Sequence, residues 1–253
     1  MTINWPLVIV LFSVSTPGVI IAMKRLIYFL LPENSDELKR RISGFAILHT
    51  LVMVFIMSIA GAMLSKGTGL RAGGLESILN GTAGIKILLP ALLPALLYAA
   101  LALLIFCFLY YGLAKRVMDE KSMATLTRLR LALGLDGCVL YGGVAEEVIG
   151  RWGLLNLAAF FALILTKEIT PLMMWLSILS SGLIFAVGQL PAYLAAGCTS
   201  SRPFIYTYIL LSLSQSVVFG YVFWQYGLIC SILAHMLFHL GWALFDSKQP
   251  LIK

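Results

Sequence analysis

The sequence predicts an all-α polytopic transmembrane helical bundle of about seven spans with its amino terminus outside. Three observations predict it. Hydrophobic residues make up 60% of the 253 and charged ones only 11%, against roughly 25% charged in a soluble domain. Mostly apolar stretches of about 20 residues, the length that crosses a hydrocarbon core, follow one another from Ile3 to Phe245. The longest polar gaps, at 24–42, 65–86 and 114–136, are too short to hold a soluble domain. One integral membrane domain over 1–253 is expected, with 137–246 as the core helices that carry the site.

Taken in order, the spans are expected at 3–22, 43–64, 86–113, 137–165, 171–196, 203–225 and 227–246. An eighth crossing has room near 26–31. The first stretch follows four uncharged residues and lacks a basic start and a small-residue cleavage site, so it is expected to stay as a span rather than leave as a signal peptide. Pro17, Pro90 and Pro94 are placed to kink helices, and Gly142 and Gly143 allow helices to approach closely. Cys107, Cys138, Cys198 and Cys230 stand singly, without the close pairing of a zinc or redox motif, and read as small core residues. No internal repeat or low-complexity run is evident.

Positive charge follows the spans. The first gap holds Lys24, Arg25, Lys39, Arg40 and Arg41, and the third holds Lys115, Arg116, Lys121, Arg128 and Arg130. The second holds only Lys66, Arg71 and Lys86, and Lys167 stands alone after span four. The first and third gaps are therefore cytoplasmic, and the carboxyl terminus with Lys248 and Lys253 lies inside. The net charge of +7 is thus a topology signal, and no nucleic-acid partner is expected. The third gap spaces Met123, Leu126, Leu129, Leu131 and Leu133 among Arg128 and Arg130, an amphipathic pattern suited to a membrane surface. It reads first as a basic, lipid-facing connector, and second as a docking element for an anionic or lipidated substrate.

Span four contains the run from Gly142 to Leu154 with Glu146, Glu147 and Arg151 inside it. Each charge at a helix centre costs about 2.5 to 3.5 kcal/mol on insertion scales, whereas an apolar neighbour returns only about 0.3 to 0.6 kcal/mol. Such a cluster is functional by default. Glu147 and Arg151 are four apart and can pair along one helix face, while Glu146 points about 100° away and lacks a local partner, as a general base would. The alternative is a buried ion-pair network that pins helices, or an ion path.

Span seven carries His235 and His239, again four apart and on one face. They can bind zinc, donate to an oxyanion, or simply bond a neighbouring helix. His49, in span two with no aligned partner, reads as structural. In span five Gln189 precedes Pro191 and follows Phe185, and helix-to-helix bonding is its default role. Counted along the expected spans, Glu146, Gln189 and His235 all fall about 10 to 15 Å from the cytoplasmic ends of their helices. One layer holds all three, as a shared site would require.

These residues resemble the CAAX protease and bacteriocin-processing family (CPBP or Abi), which includes the Ras-converting CAAX endopeptidase. The family pattern is EExxxR, then FxxxH, then HxxxN or HxxxD, on three core helices. Glu146, Glu147 and Arg151 match the first element, Phe185 begins the second, and His235 begins the third. Gln189 stands where the family has His, and His239 where it has Asn or Asp. The resemblance implies that Glu146 activates water, that Gln189 occupies the helper position, that His235 and His239 stabilise the oxyanion, and that Glu147 and Arg151 hold the frame.

It also implies a metal-free, glutamate-dependent mechanism with no cofactor, although Glu146, His235 and His239 could in principle supply three ligands to a zinc ion. The expected partners are a peptide or prenylated protein substrate and membrane lipid, and the expected setting is the plasma membrane of a prokaryote. Three functions compete: an intramembrane endopeptidase cutting near the cytoplasmic side, a catalytically silent relative acting as a binding, immunity or chaperone-like protein, and a proton-coupled transporter.

Overall fold

The computed structural model describes residues 3–246 and, among those, is helical with no strand. Eight helices follow in order: α1 Trp5–Leu30, α2 Asp36–Thr68, α3 Gly73–Leu79, α4 Ile85–Val117, α5 Glu120–Thr166, α6 Pro171–Ala195, α7 Arg202–Tyr226 and α8 Leu228–Asp246. All except α3 are long and apolar enough to cross a membrane, seven in all. The chain is an integral membrane bundle. Lys248 and Lys253, which bear on the expected position of the carboxyl terminus, lie outside the described residues.

Short polar side chains start the helices. Asn4, Ser35, Asp119, Thr170 and Ser201 each accept a hydrogen bond from a backbone N–H in the first turn that follows, satisfying a donor the helix cannot satisfy itself. Proline occupies the first turn of α1, α6 and α7, where its missing N–H costs nothing.

Two expectations about the first gap need correction. The region 26–31 is not an eighth crossing: it is the last turn of α1 and the residue that follows. Only residues 31–35 connect α1 to α2, and Lys39, Arg40 and Arg41 lie within the first turns of α2. The physical reason is length, because both helices outrun the hydrocarbon core and carry their basic residues beyond it on helical backbone.

The third gap is also helical. Residues 120–133 form the amphipathic start of α5, and the helix then breaks at Gly134, whose φ of 71° is left-handed. This backbone suits glycine, and a Cβ there would also meet the Arg25 guanidinium. Arg25 of α1 donates to the Leu133 carbonyl freed by the break and pairs with Asp136 just beyond it. The expected lipid-facing connector is not what forms. Leu126, Leu129, Leu131 and Leu133 all line a cavity within the bundle, and Leu131 keeps about half of its surface exposed.

Helix α5 then runs through the middle of the molecule. Its segment Cys138–Ala145 packs on α1 and α8, and Val148–Leu155 packs on α2 and α6. Glycine makes the closeness possible: a Cβ on Gly143 would come within 2.5 Å of Met236 of α8. Two apolar cores result. One joins α1, α2, α5 and α6 around Trp152, whose indole N–H donates to the Ser58 carbonyl at 3.1 Å. The other joins α4, α7 and α8 around Phe204, Phe219 and Phe238. Glu147 of α5 bonds Ser231 and His235 of α8. Cys138, Cys198 and Cys230 are buried, Cys107 is half-buried, and all four are free thiols.

Candidate active site

A cavity of about 500 Å³ opens between the two cores, walled by α1, α2, α4, α5, α6, α7 and α8. Glu146, Arg151, Phe185, Gln189, His235 and His239 all line it. Six of the seven sequence-selected residues therefore meet around one space. Glu147 is the exception: it has no exposed surface and lies behind the wall.

The local backbone of α5 explains how adjacent acids come to serve different places. Cys138–Ala145 and Val148–Leu155 are π-helical, and Glu146 and Glu147 are the two α-helical residues between them. Such wide turns interrupt the regular ladder and are frequent at functional sites. Here they direct Glu146 toward α6 and Glu147 toward α8.

Glu146 accepts a hydrogen bond from Gln189 Nε2 at 2.8 Å. A carboxylate offers acceptors only, so the amide must present its nitrogen there and its oxygen elsewhere. That oxygen accepts from the Tyr208 hydroxyl at 3.0 Å. The chain of donors runs from Tyr208 of α7 through Gln189 of α6 to Glu146 of α5, and both ends of the amide are committed.

Glu147 is held from three sides. Its Oε1 lies 2.7 Å from His235 Nδ1 and 3.3 Å from Arg151 Nε, and its Oε2 accepts from the Ser231 hydroxyl. The Arg151 guanidinium sits near the rings of Phe185 and Phe219, at 6.0 and 5.7 Å from their centroids. Burying one charge is tolerable only when its partners are buried with it: here Arg151 brings the opposite charge to ion-pair distance without a hydrogen bond from Nε, and Ser231 and His235 supply the hydrogen bonds. The Glu147–Arg151 pair read from the sequence is present, joined by a third and a fourth partner.

The two histidines stack, with ring centroids 4.9 Å apart and an angle of 18° between planes. Phe219 stacks on the far side of His235 at 4.3 Å. Because Glu147 only accepts, His235 presents Nδ1–H to it, which in the neutral ring leaves Nε2 bare. His239 is arranged differently. Its Nδ1 faces Arg130 Nη1 at 3.4 Å, and its Nε2 is buried against Gly142 with no hydrogen-bond partner. Among the described residues, no three His, Cys, Asp or Glu side chains are grouped to hold a metal ion.

Residues 129–241 match the family described as type II CAAX prenyl endopeptidase Rce1-like. Over that stretch the chain is similar to this family. The matched segment covers somewhat under half of the chain, from the last turns before Gly134 through most of α8, and encloses every residue of the three sequence elements. No curated protein and no solved structure matches the chain.

Some residues at this site were not singled out from the sequence. Ser231 stands four before His235 on the same helix face, a spacing that could have flagged it. Tyr208 and Trp242 carry no such signal. Arg130 was read only as one of several basic residues at a membrane surface, yet it lines the cavity. His49, read as structural, lines the same cavity and is an exposed residue.

Proposed function

We propose that this protein is an intramembrane, glutamate-dependent endopeptidase that cuts a peptide or a prenylated protein tail near the cytoplasmic side. The observation that carries the reading is the 2.8 Å bond from Gln189 to Glu146 on the wall of a cavity that His235 and His239 also line. A carboxylate positioned this way can take a proton from a water molecule as that water attacks a peptide carbonyl. His239 Nε2–H can then stabilise the oxyanion of the tetrahedral intermediate, because it is a buried donor with no other partner. Collapse of the intermediate breaks the C–N bond, and Glu146 returns its proton to the leaving amine.

In this scheme Gln189 transfers no proton. It orients Glu146, as Tyr208 orients Gln189. Glu147, with Ser231 and Arg151, holds His235 by its Nδ1 so that the bare Nε2 can accept from the attacking water or its proton. The cavity lies toward the basic end of the bundle, with walls that include Met23, Leu26, Leu126 and Arg130, which supports access from the cytoplasmic side. Only residues of the chain enter the scheme, and a metal or cofactor has no assigned place in it.

The test is cleavage of peptides and farnesylated tail peptides by the purified protein in lipid nanodiscs. Glu146→Ala is expected to stop cleavage, and undiminished cleavage by that variant removes the assignment.

One observation favours a second reading, a silent relative that binds a membrane partner without cutting it. Both ends of the Gln189 amide are already bonded, so the position that carries His in the family motif has no proton acceptor to offer. On that reading Gln189→His creates or raises activity. Efficient cleavage by the unsubstituted protein removes it.

A further inference from the structure

We propose that Arg130 is a positioning residue that holds His239 in the tautomer with its proton on Nε2. Arg130 belongs to the amphipathic start of α5, and its guanidinium grips His239 at two points. Nη1 faces His239 Nδ1 and Nη2 donates to the His239 backbone carbonyl, each at 3.4 Å. The guanidinium lies over the Trp242 ring, 3.7 Å from its centroid, where attraction between cation and ring fixes its plane.

A guanidinium has five N–H donors and no acceptor, and it keeps its charge at any pH the protein meets. The ring nitrogen it faces must therefore offer a lone pair. A neutral imidazole carries one proton, so that proton is on the other nitrogen. In His239 that nitrogen is Nε2, buried against Gly142 on the cavity wall and without a hydrogen-bond partner. The neighbouring His235 has the opposite arrangement, since its Nδ1 faces the acceptor-only carboxylate of Glu147 at 2.7 Å. Two imidazoles four residues apart on one helix are thus set as opposite tautomers, one by a cation and one by an anion. His239 becomes a fixed donor, and His235 keeps a bare nitrogen.

The tautomer assignment stands on this geometry, whereas its effect on catalysis rests on the endopeptidase reading above. The experiment separates them. The chain has three histidines, so the imidazole nitrogens of ¹⁵N-histidine-labelled, full-length protein in nanodiscs can be assigned by substituting each in turn. His239 is expected to show a protonated Nε2 and a bare Nδ1, and His235 a protonated Nδ1. Arg130→Met should turn His239 into a tautomer mixture and leave His235 unchanged.

If the protein cleaves peptide, Arg130→Met should lower kcat about tenfold or more with KM little changed, since a lost oxyanion donor costs about 10²–10³ in rate. In a His239→Asn background the same substitution should cost little, because an amide donates without needing a tautomer set. A His239 protonated on Nδ1 in the unsubstituted protein overturns the proposal, as does a His239 spectrum indifferent to Arg130→Met. If Arg130→Met does not fold, the spectrum of the unsubstituted protein decides alone. Expected spectra from a protein that cleaves nothing would uphold the tautomer assignment and remove the endopeptidase reading.

Discussion

Glu146 and Glu147 are adjacent in sequence, yet their surroundings divide them into a group that faces the cavity and a group that is sealed. Glu147 is buried together with Arg151, His235 and Ser231. Removing one charge of a buried pair leaves the other uncompensated, at a cost of about 3–5 kcal/mol. Arg151→Met is therefore expected to lower the thermal unfolding temperature markedly, whereas Glu146→Gln should leave it nearly unchanged while stopping cleavage. A comparison of the two melting curves checks the division.

Tyr208→Phe removes one hydrogen bond from Gln189, a net loss of about 0.5–1.5 kcal/mol. The expected result is a several-fold lower kcat, measured in the peptide assay, from a less firmly oriented Glu146. Gly142 permits His239 to sit where it does, since a Cβ there would overlap Nε2. Substituting that glycine by alanine should displace the ring and lower kcat without weakening the Glu147 cluster.

Helix α5 departs from regular helix where the site needs it to. Its break at Gly134 turns the amphipathic start over the cavity, and Arg25 of α1 ties down the carbonyl and the carboxylate on either side of the break. At its first turn, Asp119 accepts from the Ser122 backbone N–H at 2.9 Å, from the Ser122 hydroxyl at 2.8 Å and from Thr199 Oγ1 at 3.0 Å. The last contact joins the start of α5 to the link between α6 and α7. The Ser122 backbone N–H, aided by the hydroxyls of Ser122 and Thr199, holds the Asp119 carboxyl below the ordinary carboxylate range.

A depressed pKa in the folded state stabilises the protein above the unfolded value of about 3.9, and that stability is lost as pH falls through the folded pKa. Asp119→Ala is expected to cost about 0.5–2 kcal/mol, as lost helix caps do. The difference from the unsubstituted protein should shrink as the pH of the unfolding experiment falls below about 4 and on through the depressed native pKa, where the native carboxyl takes up its proton.

The bundle as a whole is built around two apolar cores, and the cavity is walled by residues from seven of its helices. Much of its outer surface is exposed hydrocarbon, including Phe45, Leu104, Phe108 and Leu244, a surface that suits lipid and would drive aggregation in water. Basic residues at the ends of α1 and α4 and at the starts of α2 and α5 mark one end of the molecule, which the positive-inside rule assigns to the cytoplasm. A cysteine introduced for Lys167, in the link between α5 and α6, should react with a membrane-impermeant thiol reagent in intact cells. One introduced for Asn34, between α1 and α2, should react only after the membrane is opened. The reverse pattern would invert the orientation and move the cavity's access to the other side.

Composition, span length and the order of charged residues sufficed for the class of fold, the number of long apolar helices and the expectation that Glu146, Gln189 and His235 share one layer. All of these follow from hydrophobicity and from rise per residue, which are properties of the chain read one helix at a time. The tertiary structure alone decided which acid faces the cavity, how Gln189 spends both ends of its amide, and that Arg130 is drawn from the membrane surface to His239. Those outcomes depend on helix rotation and on partners from distant segments. Alternating π-helical and α-helical turns rotate side chains away from where regular spacing puts them, and no local pattern in the sequence records that rotation.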